Sequence, residues 1–357
     1  MLKAHSYLFE IENYVPGKSQ LGNKKIIKLS SNENALKASP KAIEAYKNHA
    51  EKIFRYADGS CADLREAIAQ KNKILANQIV CGAGSDEVIA LLTQAFAGVG
   101  DEVIYSEHGF LMYPISAKRV GAKAIKVKEK NLRADVDAFL AAITDKTKII
   151  FLANPNNPTG SYLSGPEVDR LIAKTPKNIL IVLDCAYEEF VDEADYPNAI
   201  ELVNKHENVV VTRTFSKIYG LASLRIGWCF SSAYIAEILN KIRGPFNVGG
   251  PAQAAAIAAL GDDEFLIASK NHNKKWLKLF FETFAKSSEI KAWPSVGNFV
   301  LLDFGSKEKC ADANSKLLNE GIILREMAGY GLPNCLRATI GNDEENEYLL
   351  GVLVTPL

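Results

Sequence analysis

The chain has 357 residues, more than the roughly 250–300 over which one hydrophobic core keeps growing, so a large domain and a smaller one are expected. Its 48% hydrophobic and 24% charged residues exclude a disordered chain. Lysine plus arginine and aspartate plus glutamate both number 42, so no net field draws in nucleic acid or an anionic membrane, and a small-molecule substrate is expected.

The first residues place Glu10 and Glu12 where a signal peptide needs an apolar run, and no apolar stretch reaches membrane-spanning length. A cytoplasmic protein is expected. Residues 1–45 are extended and polar, which predicts a segment joining the smaller domain. Ser60 with Asp63, and Ser164 with Glu167, have capping-box spacing and each predicts a helix start. Strands are predicted at Ile79–Cys81, Val103–Tyr105, Ile149–Ala153, Ile179–Asp184, Val209–Thr212 and Ile226–Phe230, separated by helix-length amphipathic segments. That alternation predicts an α/β fold, a large domain over 46–248 with a central, mostly parallel sheet flanked by helices. After Gly249-Gly250-Pro251 come an alanine-rich helix, a long helix and three strands, read as a smaller α+β domain over 249–357. The six cysteines lack a CxxC pair and read as reduced core residues.

Four segments carry chemistry. Val80 to Glu87 runs from a strand through a glycine turn into a helix, whose free N–H groups make a phosphate site. Gly82-x-Gly84 is also half of a dinucleotide fingerprint, with Glu107 placed as a ribose acid and Glu87 where the third glycine belongs; a nicotinamide-dependent oxidoreductase is the different-class alternative. Asn154-Pro155-Asn156-Asn157-Pro158-Thr159-Gly160 is either a tight turn or a loop that projects the Asn157 amide. Asp184 ends an apolar strand with Tyr187 three residues on. It is either a helix N-cap or the partner of a pyridinium nitrogen. Thr214, Ser216 and Lys217 follow another strand, with Arg225 eight residues later: the hydroxyls and guanidinium suit a phosphate, and Lys217 is either a solvated charge or a desolvated amine ready to form an imine. One cofactor accounts for all four.

Together with Tyr14-Val15-Pro16-Gly17, Ser31-Asn32-Glu33-Asn34, Arg55-Tyr56 and the Arg325 to Arg337 stretch, these segments resemble fold-type I aminotransferases over nearly the whole chain, most closely the histidinol-phosphate aminotransferase family. The resemblance implies pyridoxal 5'-phosphate held as a Schiff base on Lys217, which also shuttles the proton at the substrate α-carbon. It implies that Asp184 pairs with the ring nitrogen, that Asn157 and Tyr187 meet the ring oxygen, and that Phe110 stacks on the ring. Ser85, Asp86, Thr214, Ser216 and Arg225 would hold the phosphate, with Tyr56 reaching it from the other subunit of a homodimer. Arg337 would grip the amino-acid carboxylate beside Asn157, and Arg325 with Tyr14 the phosphorylated substrate. After Asn34 the family usually has proline and then glycine; this chain has Ala35 and Lys37. The implied reaction passes an amino group between glutamate and histidinol phosphate in histidine biosynthesis, with an aromatic aminotransferase and a phosphothreonine decarboxylase as the alternatives.

Overall fold

A computed structural model of the chain describes residues 2–12, 20 and 26–354. Its strands are β1 (Ile27–Leu29), β2 (Ile79–Gly82), β3 (Glu102–Ser106), β4 (Lys123–Val127), β5 (Thr147–Ala153), β6 (Leu180–Asp184), β7 (Val209–Thr214), β8 (Gly227–Phe230), β9 (Lys291–Trp293), β10 (Phe299–Asp303), β11 (Ile322–Glu326) and β12 (Cys335–Thr339). Seven form one sheet in the order β2-β8-β7-β6-β5-β3-β4, and five form another in the order β1-β11-β12-β10-β9. In the larger sheet β3 to β7 run parallel, while β8 runs antiparallel to both β7 and β2. The α/β class with a mostly parallel central sheet is therefore what forms.

Burial explains which strands were readable. Every residue of β6 and β7 is buried, as expected of strands covered on both faces. No strand was predicted at β4. It lies at the sheet edge with Lys123 and Lys126 exposed, so charges interrupt its sequence where a central strand is continuously apolar.

Helix Gly165–Lys174 opens on the expected capping box, with the Ser164 N–H donating to Glu167 Oε2 at 2.9 Å. Helix Ala62–Asn72 does not open on Ser60 and Asp63. Asp58 takes that role, accepting from the N–H groups of Ser60 at 2.9 Å and Ala62 at 2.7 Å. Those bonds, led by the one from Ala62, hold its carboxyl below the usual range. The intervening Cys61 is left-handed, at φ 52°, and the Ser60 hydroxyl turns back onto Asp58.

Two cores sit against the two faces of the larger sheet, and another, containing Trp276, Phe280 and Phe284, lies against the smaller sheet. The alanine-rich helix Gly250–Leu260 belongs to the first: Ala252, Ala255, Ala256 and Ala259 are buried there, and their small side chains let it lie against helix Pro40–His49. This helix, the first after the boundary expected at 248/249, therefore packs on the core of the larger sheet. The passage between cores runs along helix Asp263–Phe284. The six cysteines are free and buried, and among the described residues no helix is long and apolar enough to cross a membrane.

Replacing Asp58 with alanine removes a helix cap and is expected to lower the free energy of unfolding by about 1 kcal/mol, whereas Asp63→Ala should change it by less than about 0.5 kcal/mol. Urea unfolding of the two variants compares them; the reverse ranking would reinstate the Ser60–Asp63 cap.

Candidate active site

Strand register gathers the site. Ala153 of β5 lies beside Asp184 of β6, and Asp184 beside Thr212 of β7, so the Asn154–Gly160 loop, Asp184 and the turn after Thr214 emerge at one rim of the sheet. Carboxyl ends of parallel strands are where such sheets bind ligands.

Asp184 is only 5% exposed. Tyr113 donates to its Oδ2 at 2.7 Å and the Thr212 hydroxyl to its Oδ1 at 3.1 Å, both neutral groups. Burial pushes its pKa up to about 6, against the lowering effect of those bonds. A carboxylate kept dry by neutral donors is a seat for a cation. Neither donor was read from the sequence: Thr212 shares a strand face with Thr214 through the two-residue period, but nothing local marks Tyr113.

Lys217 follows β7, and its Nζ donates to the Ser31 carbonyl at 3.1 Å and lies 5.6 Å from the Tyr187 ring centroid. Burial, and then the charge of Arg337, lower its pKa to about 8. A useful fraction of the amine is therefore unprotonated near neutral pH, as a nucleophile requires.

An anion cradle forms where β2 turns into helix Ser85–Phe96. Gly84 has φ +84°, and a Cβ there would sit 2.4 Å from the Arg225 guanidinium; a Cβ on Gly227 would sit 2.4 Å from the Ser85 nitrogen. Only glycine at both places lets Arg225 meet the first-turn N–H groups, the arrangement that binds phosphates. Arg225 also donates to Ser216 Oγ at 3.2 Å and to Asp86 Oδ2 at 3.3 Å. With its carboxylate so engaged, Asp86 offers an anion its backbone N–H.

The same segment removes the dinucleotide reading. Glu87 folds back to accept from the Ala83 N–H at 2.6 Å and from Asn247 Nδ2 at 2.7 Å, filling the space a third glycine would leave open. Moreover, β2 is an edge strand paired antiparallel with β8, whereas a dinucleotide fold opens on a parallel strand.

Two groups from the smaller sheet orient donors in the larger unit. Arg337 donates to Asn157 Oδ1, and to the Ser30 carbonyl at 2.8 Å. Since a guanidinium only donates, the Asn157 amide must turn its oxygen to Arg337, which leaves its Nδ2 as a donor. Asn32 Nδ2 donates in turn to the Tyr187 hydroxyl at 2.8 Å. Burial pushes the Tyr187 phenol up to about 12, so it stays protonated. Arg325 pairs in register with Arg337 across β11 and β12.

Of the residues expected in the site, Ser85, Asp86, Phe110, Asn157, Asp184, Tyr187, Thr214, Ser216, Lys217, Arg225, Arg325 and Arg337 all line one cavity of about 350 Å³. Tyr56 does not. It is 85% exposed and stacks on Phe246 at 4.7 Å. Tyr14 lies outside the described residues.

The sequence profile of class I and II aminotransferases matches residues 24–353. The chain belongs to the class I and II aminotransferases. It is similar to a histidinol-phosphate aminotransferase of Paramagnetospirillum magneticum, 50% identical over 349 residues, 97% of this chain and 96% of that protein. Another from Maricaulis maris is 46% identical over 351 residues, 98% of this chain and 97% of the relative. Among solved structures, histidinol-phosphate aminotransferase from Sinorhizobium meliloti in complex with pyridoxal-5'-phosphate matches with a TM-score of 0.89 at 28% identity, over 99% of this chain and 97% of that one.

The cavity of this aminotransferase fits pyridoxal phosphate by its own chemistry. A dry carboxylate at Asp184 suits a ring nitrogen that carries a proton, the glycine-lined cradle at Gly84 and Gly227 suits a phosphate, and the desolvated Lys217 amine suits an aldehyde.

An unfolded lysine titrates near 10.5 and Lys217 in the fold at about 8, so between those values the unfolded chain holds the proton more tightly. The destabilisation is full below about pH 8 and disappears as pH rises to 10.5. Allowing for water entering from the cavity, cofactor-free Lys217→Met is expected to be about 2–3 kcal/mol more stable than cofactor-free wild type at pH 7. Denaturant unfolding across that pH range should show the gap closing; a gap independent of pH would mean the amine is solvated.

Proposed function

We propose that this chain is a pyridoxal-phosphate-dependent histidinol-phosphate aminotransferase, passing an amino group between glutamate/2-oxoglutarate and histidinol phosphate/imidazole-acetol phosphate in histidine biosynthesis. The observation that carries the substrate is the pair Arg325 and Arg337, side by side in register on the cavity wall. Both guanidinium groups line the cavity, so an anionic substrate there can gain charge-assisted bonds from each. One can take the carboxylate of glutamate, and together they can take a phosphate through charge-assisted, bidentate bonds.

Bound in this cavity, pyridoxal phosphate supplies an aldehyde that links to amines and a ring that withdraws electrons from the substrate α-carbon. The chain's own residues do the rest. Asp184 holds the proton on the ring nitrogen and so keeps the ring electron-poor. Thr214, Ser216, Arg225 and the first-turn N–H groups of Ser85 and Asp86 bind the phosphate, and Phe110 covers one ring face. Asn157 Nδ2 and the Tyr187 hydroxyl donate to the ring oxygen. Lys217 Nζ would hold the cofactor's aldehyde carbon and, once free, would take and return the proton at the substrate α-carbon, for which an amine with a pKa of about 8 is matched to neutral pH. Arg337 holds the carboxylate beside Asn157, and Arg325 with Tyr14 the substrate phosphate.

The same proposal makes the enzyme a homodimer. Tyr56 is turned away from its own cavity, with Ile53 and Phe54 at 70% and 75% exposure beside it, as expected of side chains that meet a second copy and reach its phosphate cradle. Gel filtration should show a dimer. Tyr56→Phe should raise the pyridoxal phosphate dissociation constant about tenfold, the loss of one hydrogen bond to a charged group; a monomer with unchanged affinity would remove this part.

The visible spectrum with pyridoxal phosphate, followed by assay with glutamate and either imidazole-acetol phosphate or phenylpyruvate, tests the main reading. A visible band is expected in wild type and not in Lys217→Ala. Imidazole-acetol phosphate should be preferred in kcat/KM, and Arg325→Ala should cut that value by about 10²-fold while phenylpyruvate changes only a few-fold. Equal use of phenylpyruvate by wild type would make it an aromatic aminotransferase, and carbon dioxide release from phosphothreonine without an acceptor a decarboxylase.

A further inference from the structure

Asn32 is 1% exposed and has a left-handed φ of 54°. A residue with a side chain keeps that conformation only where its surroundings hold it. Here the holding groups are identifiable. The Asn32 N–H donates to Thr339 Oγ1 at 2.9 Å, and the Thr339 hydroxyl gives its own hydrogen to Asn32 Oδ1 at 3.2 Å. The Asn32 carbonyl accepts from Asn298 Nδ2 at 3.1 Å. The side-chain amide thus has one sensible orientation, oxygen towards Thr339 and nitrogen towards Tyr187, whose hydroxyl oxygen receives it at 2.8 Å.

An amide nitrogen can only donate, so it occupies a lone pair of the Tyr187 oxygen and leaves the phenolic hydrogen to point elsewhere. Tyr187 lines the cavity. We propose that Asn32 is a positioning residue for amino transfer, which fixes the Tyr187 hydroxyl as a donor into the cavity and ties that donor to the smaller sheet. The tie follows from connectivity. Asn32 lies just past β1, Thr339 ends β12 and Asn298 precedes β10, all in the smaller sheet, whereas Tyr187 lies just past β6 in the larger one. A displacement of the smaller sheet frees the Tyr187 oxygen to accept instead of donate. The inference rests on the proposed role of Tyr187 towards the cofactor's ring oxygen.

Two substitutions separate polarity from backbone. Asn32→Asp keeps size and tolerance of positive φ but presents an acceptor, so Tyr187 turns its hydrogen to the carboxylate. Asn32→Gly keeps the backbone conformation, folds without strain and removes only the side chain. Each is loaded with pyridoxal phosphate and its visible band is titrated with pH, with Tyr187→Phe as the reference for complete loss of the donor. A donor to a negative oxygen favours the deprotonated state, so its loss raises the midpoint. The midpoint of Asn32→Asp is expected to rise by about one pH unit or more, that of Asn32→Gly by less in the same direction, and Asn32→Gly added to Tyr187→Phe should produce no further rise. With Asn32→Asp, kcat should fall about tenfold or more while KM stays near wild type. A wild-type midpoint in Asn32→Asp, or an Asn32→Gly shift that persists without the Tyr187 hydroxyl, overturns the inference alone. Absence of any band in wild-type protein overturns the functional reading and this inference together.

Discussion

Two ionisable side chains, Asp184 and Lys217, are taken out of water in one cavity, and among the described residues neither is held in an ion pair. Asp184 has two hydroxyl donors and Lys217 a carbonyl acceptor. An acid pushed to about 6 and an amine lowered to about 8 each cost about 2–3 kcal/mol near neutral pH, a sizeable fraction of a domain's net stability of about 5–15 kcal/mol. The cost is tolerable because both groups stand at the ends of strands buried on both faces, in a sheet large enough to lose some stability at its rim. Relieving it is then a source of binding energy. An occupant with a protonated ring nitrogen for Asp184 and a carbonyl for Lys217 stabilises the fold by mass action as it binds.

The smaller sheet depends on the same arrangement from the other side. It supplies few groups of its own chemistry, but it decides which way the others face. Arg337 turns the Asn157 amide, Asn32 turns the Tyr187 hydroxyl, and the Ser30 and Ser31 carbonyls receive Arg337 and Lys217. Amide and hydroxyl groups are ambiguous as donor or acceptor until a neighbour of fixed polarity settles them. Here those neighbours come from a different sheet, so donor direction and the relative position of the two sheets are one variable.

How much of this could be read from the sequence follows from distance along the chain. Continuous apolar runs announced β5, β6 and β7, a lone acid at the end of one announced Asp184, and the cluster Thr214, Ser216 and Lys217 with Arg225 after another announced the lysine turn. β4 gives no such signal because its edge position lets two exposed lysines, Lys123 and Lys126, break the apolar run. The Ser60 cap failed because a left-handed Cys61 intervenes, and backbone sign is not written in local spacing. The supporting groups were illegible for a stronger reason: Asn32 and Thr339 are 307 positions apart, and Tyr113 and Asp184 71. Only the folded register brings such pairs together, and no periodicity foretells it.

The departure at Ala35 and Lys37 shows how a family turn is kept without its usual residues. Proline and glycine would set such a turn through a fixed φ and a permissive one. In this chain Asn34 does the fixing: its Oδ1 accepts from the Leu36 N–H at 2.8 Å, an Asx turn, while its Nδ2 donates to the Ile218 carbonyl at 2.6 Å and to Ser269 Oγ at 3.1 Å. Lys37 takes the positive φ, 69°, that glycine would have taken freely. Its carbonyl packs so closely on Gly220 that a Cβ there would lie 2.0 Å away, which locks the turn against the loop that carries Lys217. Side-chain hydrogen bonds thus replace backbone stiffness, and the border of the substrate cavity is held by contacts to the lysine loop instead of by proline.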